Sequence, residues 1–87
     1  MKRFTGKNAD GAVSVTEADL PDALRHLAAF EDALEELAMS QTEIPSELER
    51  LKAAGKEKTV RYKELFGQKL MNNHTLMLFE RHGIKID

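Results

Sequence analysis

The sequence predicts a mainly α fold: a small helical bundle made of an αα-hairpin and a C-terminal helical pair, with a short N-terminal β-hairpin. Three observations predict it. Apolar residues recur at helical spacing from Leu20 onward, and Pro21, Pro45, Gly55 and Gly83 punctuate that pattern where helices start and stop. Before Leu20, alternating residues flank an Asp-Gly turn signal, as in a hairpin. The expected organisation is a single domain over 1–87, with a hairpin over 1–16 and helices over 19–39, 45–54, 58–71 and 74–82.

In the hairpin, Lys2-Arg3-Phe4-Thr5 and Ala12-Val13-Ser14-Val15 flank Gly6 to Gly11, and Asn8-Ala9-Asp10-Gly11 carries the turn chemistry. A two-stranded ribbon is marginal in water, so it is expected to lean on a helix through Phe4 and one face of Val13 and Val15. It braces the helices or offers an edge strand.

The first helix has Asp19 as cap, Pro21 in its first turn, where a missing N–H costs nothing, and Asp22 at its positive dipole end. Leu20, Leu27 and Leu34 repeat every seven residues, with Ala23, Phe30 and Leu37 three after each, a seam for packing along another helix. Pro45 is read as opening a second helix with Ile44, Leu48 and Leu51 on one face, ended by Gly55. The third carries Tyr62, Leu65, Phe66 and Leu70 in one arc, with Lys63 and Lys69 near its borders. Asn72-Asn73 is read as interrupting it, because such amides compete for backbone groups. The last helix stops at Gly83. Its run Leu76-Met77-Leu78-Phe79 faces all sides, so either the helix is sandwiched or part of the run is an exposed patch for a partner.

A chain of 87 residues buries only about 60–65% of the surface its unfolded form exposes, so self-association, such as a dimer, or a bound partner is expected. Its 41% hydrophobic and 32% charged residues are globular values. Without cysteine there is no disulfide framework or thiolate metal site, and no apolar run reaches membrane-span length. Lys2 and Arg3 have no apolar stretch behind them, unlike a signal peptide. A cytoplasmic protein without membrane contact is expected.

The net charge of −2 hides segregation along the chain. Residues 17–49 hold ten acids and one base, Arg25, a net of −9, whereas Arg50 to Ile86 hold nine bases and three acids, a net of +6. The halves can neutralise each other in the fold, pair head-to-tail between subunits, or face a charged partner, and neutralisation within the fold is favoured.

No cofactor, metal or catalytic constellation is expected, and the chain is read as a non-enzyme. Glu80 and His82 are two apart and point to opposite sides of a helix, leaving His74 without a ligand set. Glu31, Asp32, Glu35 and Glu36 crowd carboxylates on adjacent turns. Like charges four apart cost a helix about 0.2–0.5 kcal/mol each, so the strip invites basic partners. With Met77 and Leu78, these four acids form the expected partner-binding set.

Two resemblances bear on function. The order "MKRFT", "DG", "LAAFED" and "ELERLKAAGK" over residues 1–54 resembles a group of small proteins carried by phages and prophages of Gram-positive bacteria. "LAAFED", Leu27 to Asp32, is its most specific piece, and "ALEELAMSQTEIPSE" departs from the group by replacing a short turn. This resemblance implies a mobile-element origin and no defined activity. Accessory proteins of such elements include binders that block host defence, anti-CRISPR proteins among them. The implied function is protein–protein binding in a host bacterium, against a host or phage protein such as a basic nucleic-acid-handling nuclease.

The second is local. "ELFGQKLMNNHTLMLFERHGI", Glu64 to Ile84, is similar to the helix-turn-helix of mercury-resistance-type (MerR) regulators, with Glu64, Leu65, Thr75, Leu76, Phe79, Glu80, Arg81, Gly83 and Ile84 in register. Leu70 stands where that family has its turn glycine, and Met77 where it has a basic residue. The resemblance implies an alternative function, DNA binding through Lys63, Lys69, His74, Thr75 and Arg81.

Overall fold

The computed structural model describes residues 1–86 and is mainly α. Strands β1 (Gly6–Lys7) and β2 (Val13–Ser14) form a two-stranded antiparallel sheet, followed by helices α1 (Leu20–Ala53) and α2 (Val60–Arg81). Packing within the expected 1–87 domain falls into two compact units, Met1–Ala33 and Leu34–Asp87, and α1 runs through both.

In the first unit, Gly6 pairs with Ser14 and Lys7 with Val13. The expected turn forms: the Gly11 N–H donates to the Asn8 carbonyl at 3.0 Å, and the Ala12 N–H donates to Asp10 Oδ1 at 3.0 Å. The first strand lies later than Lys2–Thr5, because the Asn8–Ala12 closure brings its nearest neighbours, Gly6 and Lys7, into the ladder. Phe4 leans on α1 as expected, its ring 4.7 Å from that of His26 with the planes tilted by 60°. Lys2 lies over the Phe4 ring, 5.0 Å from the ring centroid, and reaches Asp19 at 3.1 Å. The Asp19 carboxylate therefore tethers the N-terminal segment, while at the start of the helix the Thr16 hydroxyl accepts from the Asp19 N–H at 3.2 Å. Val13 and Val15 remain exposed, so Phe4 alone of the three expected residues is partly buried.

The expected break over 40–44 does not occur, since α1 continues through Pro45 to Ala53. Proline deprives the Gln41 carbonyl of its helical donor and costs a helix interior about 3 kcal/mol. Continuity is favoured because it keeps one seven-residue pattern in register. Leu20, Ala23, Leu27, Phe30, Leu34 and Leu37 lead through Gln41 to Ile44, Leu48 and Leu51. A break at Pro45 would shift Leu48 and Leu51, the two buried hydrophobic residues, off that line.

The second expected break, at Asn72-Asn73, is also absent: residues 58–71 and 74–82 give one helix, Val60–Arg81. Asn72 is buried, and its amide is engaged across the second unit. It donates through Nδ2 to Ser40 Oγ at 2.9 Å and accepts at Oδ1 from Gln68 at 2.8 Å, while Ser40 Oγ donates to the Leu37 carbonyl at 2.7 Å. An amide held this way no longer competes for its own backbone. The buried Asn72 and the partly buried Tyr62, Leu65, Lys69, Leu76 and Phe79 follow the same seven-residue pattern along α2, with Gly67 and Thr75 partly buried outside it. Phe66 and Leu70 therefore separate from Tyr62 and Leu65, and lie outside.

Both helix ends behave as expected. Gly55 and Gly83 adopt φ of 72° and 80°, which only glycine enters freely. After Gly55, the Lys56 N–H donates to the Leu51 carbonyl at 2.8 Å; after Gly83, the Ile84 N–H donates to the Phe79 carbonyl at 2.9 Å. These six-to-one closures satisfy carbonyls that a helix end leaves bare. Thr59 caps α2, its hydroxyl accepting from the Tyr62 N–H at 3.2 Å. No helix among the described residues is long and apolar enough to cross a membrane.

Candidate protein-binding surfaces

Side-chain burial is sparse. Among the described residues, Leu48 and Leu51 form the buried hydrophobic core and Asn72 is the buried polar residue. Several other large apolar side chains are exposed, and some of them line up along one side of a helix.

In the first unit, Leu20, Leu24 and Leu27 are 42%, 56% and 51% exposed. They follow one another at four and three residues, so they share one side of α1. Sequence reasoning placed Leu20 and Leu27 in a packing seam and overlooked Leu24. Its signal was the leucine four after Leu20, which widens the seam into an apolar face.

The acidic strip follows that face along α1. Glu31, Asp32, Glu35 and Glu36 are all exposed. Within the second unit, no ion pair among the described residues joins Glu35 or Glu36 to Lys56, Lys58, Arg61 or Lys63. Within the first, Glu31 and Asp32 have no ion-pair partner among the described residues. The described ion pairs are Lys2–Asp19, Asp22–Arg25 and Glu47–Arg50, each exposed or partly so. A hydrogen bond from Arg50 holds the Glu47 carboxyl below its usual range and raises the Arg50 guanidinium in turn.

The run Leu76 to Phe79 resolves into two sides. Leu76 and Phe79 are half-buried, while Met77 and Leu78 stand exposed, so two of the four residues are open to solvent. An open groove beside them is lined by His74, Met77, Leu78, Glu80 and Arg81. Of the expected partner-binding set, the fold brings Met77 and Leu78 together here and does not bring Glu35 or Glu36 to this groove. A second depression in the same unit is lined by Ala38, Gln41, Thr42, Leu76, Glu80, Ile84 and Ile86.

Lys63, Lys69, His74, Thr75 and Arg81 all lie on α2. They do not form a helix-turn-helix, because that geometry needs two helices joined by a turn and Glu64 to Arg81 is one uninterrupted helix. The hydroxyl of Thr75 donates to the Met71 carbonyl at 3.1 Å, and Lys69 lies on the half-buried side with Asn72. No group of three histidine, aspartate or glutamate side chains among the described residues could hold a metal ion. No family model, curated protein or solved structure matches the chain.

Proposed function

We propose that this protein is a mobile-element accessory protein that acts by binding other proteins in the cytoplasm of a host bacterium. The observation that carries the reading is the distribution of apolar surface. Leu48 and Leu51 are buried, whereas Leu20, Leu24 and Leu27 on α1 and Phe66, Leu70 and Met77 on α2 lie exposed in lines along their helices, with Leu78 exposed beside Met77. Aligned apolar surface of this kind marks contact sites. The resemblance of residues 1–54 to phage and prophage proteins supports the mobile-element origin.

The finer proposal concerns the target. Glu31, Asp32, Glu35 and Glu36 present a carboxylate array without ion-pair partners among the described residues, suited to a basic surface that normally receives phosphates, such as that of a host defence nuclease. In that role the acids stand in for phosphates and steer association.

The test is affinity capture from a bacterial lysate, followed by reconstitution with the purified partner. The unaltered chain is expected to retain a stoichiometric partner. The E31K/D32K/E35K/E36K variant is expected to slow association, and M77E/L78E to weaken the complex. Equal binding by all three chains would overturn the assignment of these surfaces.

A further inference from the structure

We propose that the acid-flanked apolar face of α1 in one copy of this chain docks on the base-flanked apolar face of α2 in a second copy. The proposal rests on the protein-binding reading above and names the partner for these two faces.

On α1, the exposed line Leu20, Leu24, Leu27 continues at helical spacing into Glu31 and Glu35. On α2, Phe66, Leu70 and Met77 are 46%, 49% and 62% exposed and share one side of the helix. Lys63 lies three residues before Phe66 and Arg81 four after Met77, so a base stands at each end of this second line. On its border, Lys69 and Glu80 offset one another. Glu31, Glu35, Lys63 and Arg81 are all exposed and have no ion-pair partner among the described residues.

Each face carries what the other lacks: leucine-rich with acids against phenylalanine, leucine and methionine with bases. Charge complementarity selects the pairing. A symmetric contact of α1 on α1 would set Glu31 and Glu35 against their own equivalents or against neighbouring acids. A contact of α2 on α2 would do the same with Lys63 and Arg81, and such juxtapositions disfavour the complex. Both complementary faces occur on every copy, so the contact is head-to-tail and either closes into a ring or propagates.

Sedimentation velocity of the full chain from micromolar to near-millimolar concentration tests the proposal, with circular dichroism confirming that each variant is folded. The unaltered chain is expected to associate with concentration and to dissociate as salt is raised. E31K/E35K alone and K63E/R81E alone are each expected to lose association. Mixed together, they regain it, because the basic α1 face of one variant meets the acidic α2 face of the other. A monomeric unaltered chain, association insensitive to salt and to both reversals, or a mixture of folded variants that stays monomeric would each overturn the proposal. The capture experiment above reports separately on binding to other proteins. If a variant fails to fold, the salt response of the unaltered chain still decides the outcome.

Discussion

Asn72 donates its side-chain amide to the hydroxyl of Ser40 across the second unit at 2.9 Å, joining α2 to α1 through a buried polar contact. The hydroxyl in turn donates to the Leu37 carbonyl, and Gln68 donates to the amide oxygen. No buried side-chain polar atom among the described residues lacks a partner, which is what makes this small network tolerable inside a sparse core.

Removing the amide is therefore expected to cost stability. Asn72→Ala should lower the unfolding free energy by about 1–2 kcal/mol, through lost hydrogen bonds and an unfilled space. Asn72→Leu should be at least as stable as the unaltered chain, since Ser40 keeps its bond to Leu37 and Gln68 can reach water. Urea denaturation of both variants checks this, and an unchanged midpoint for Asn72→Ala would show that the network contributes nothing.

Pro45 offers a sharper contrast. In an uninterrupted α1, Pro45→Ala restores a donor to the Gln41 carbonyl and should raise stability by about 2 kcal/mol, after allowing for the unfolded-state entropy that proline removes. If a helix began at Pro45 instead, the proline would sit where it is favoured and the same substitution would be neutral or harmful. Thermal melting of the alanine variant distinguishes the two.

Duplex DNA should not be bound through Glu64 to Ile84, because α2 supplies no second helix set by a turn. Fluorescence anisotropy titrations at low salt are expected to stay flat. Affinity that falls steeply with salt and weakens on Lys63→Glu or Arg81→Glu would contradict this expectation.

Acid sensitivity should include a contribution from Glu47. Its carboxyl titrates lower in the folded chain than in the unfolded one, chiefly through the hydrogen bond from Arg50. The stabilisation is thus complete above the unfolded value of about 4.5 and is lost as pH falls through the folded value. The pair is exposed, so the effect is small. Glu47→Gln should flatten this part of the stability profile, measured by melting from pH 6 down to about pH 3.

Much of the fold was legible in the sequence because its signals are local. The Asn8–Gly11 turn, the stops at Gly55 and Gly83, and the helical spacing of Leu20 to Leu37 each depend on a few neighbouring residues, and each is present in the structure. The candidate surfaces were legible in part: the acids of α1 and the pair Met77 and Leu78 are exposed, whereas Leu24, Phe66 and Leu70 emerged as exposed only from the packing.

By itself, the sequence determined the helical class, the N-terminal turn, the charge segregation and the glycines at which helices end, since backbone preference and residue order suffice for these. Tertiary structure decided that Pro45 and Asn72 lie inside helices. Their local preferences for breaking a helix, worth a few kcal/mol at most, yield when Leu48 and Leu51 become buried and the Asn72 amide finds Ser40, a partner 32 residues away. It also decided which side of α2 turns inward. Lys69 and Asn72 occupy the half-buried and buried positions that a composition-based reading gives to Phe66 and Leu70, because only the seven-residue register continuing from Tyr62 and Leu65 to Leu76 and Phe79 keeps one side of α2 inward along its length.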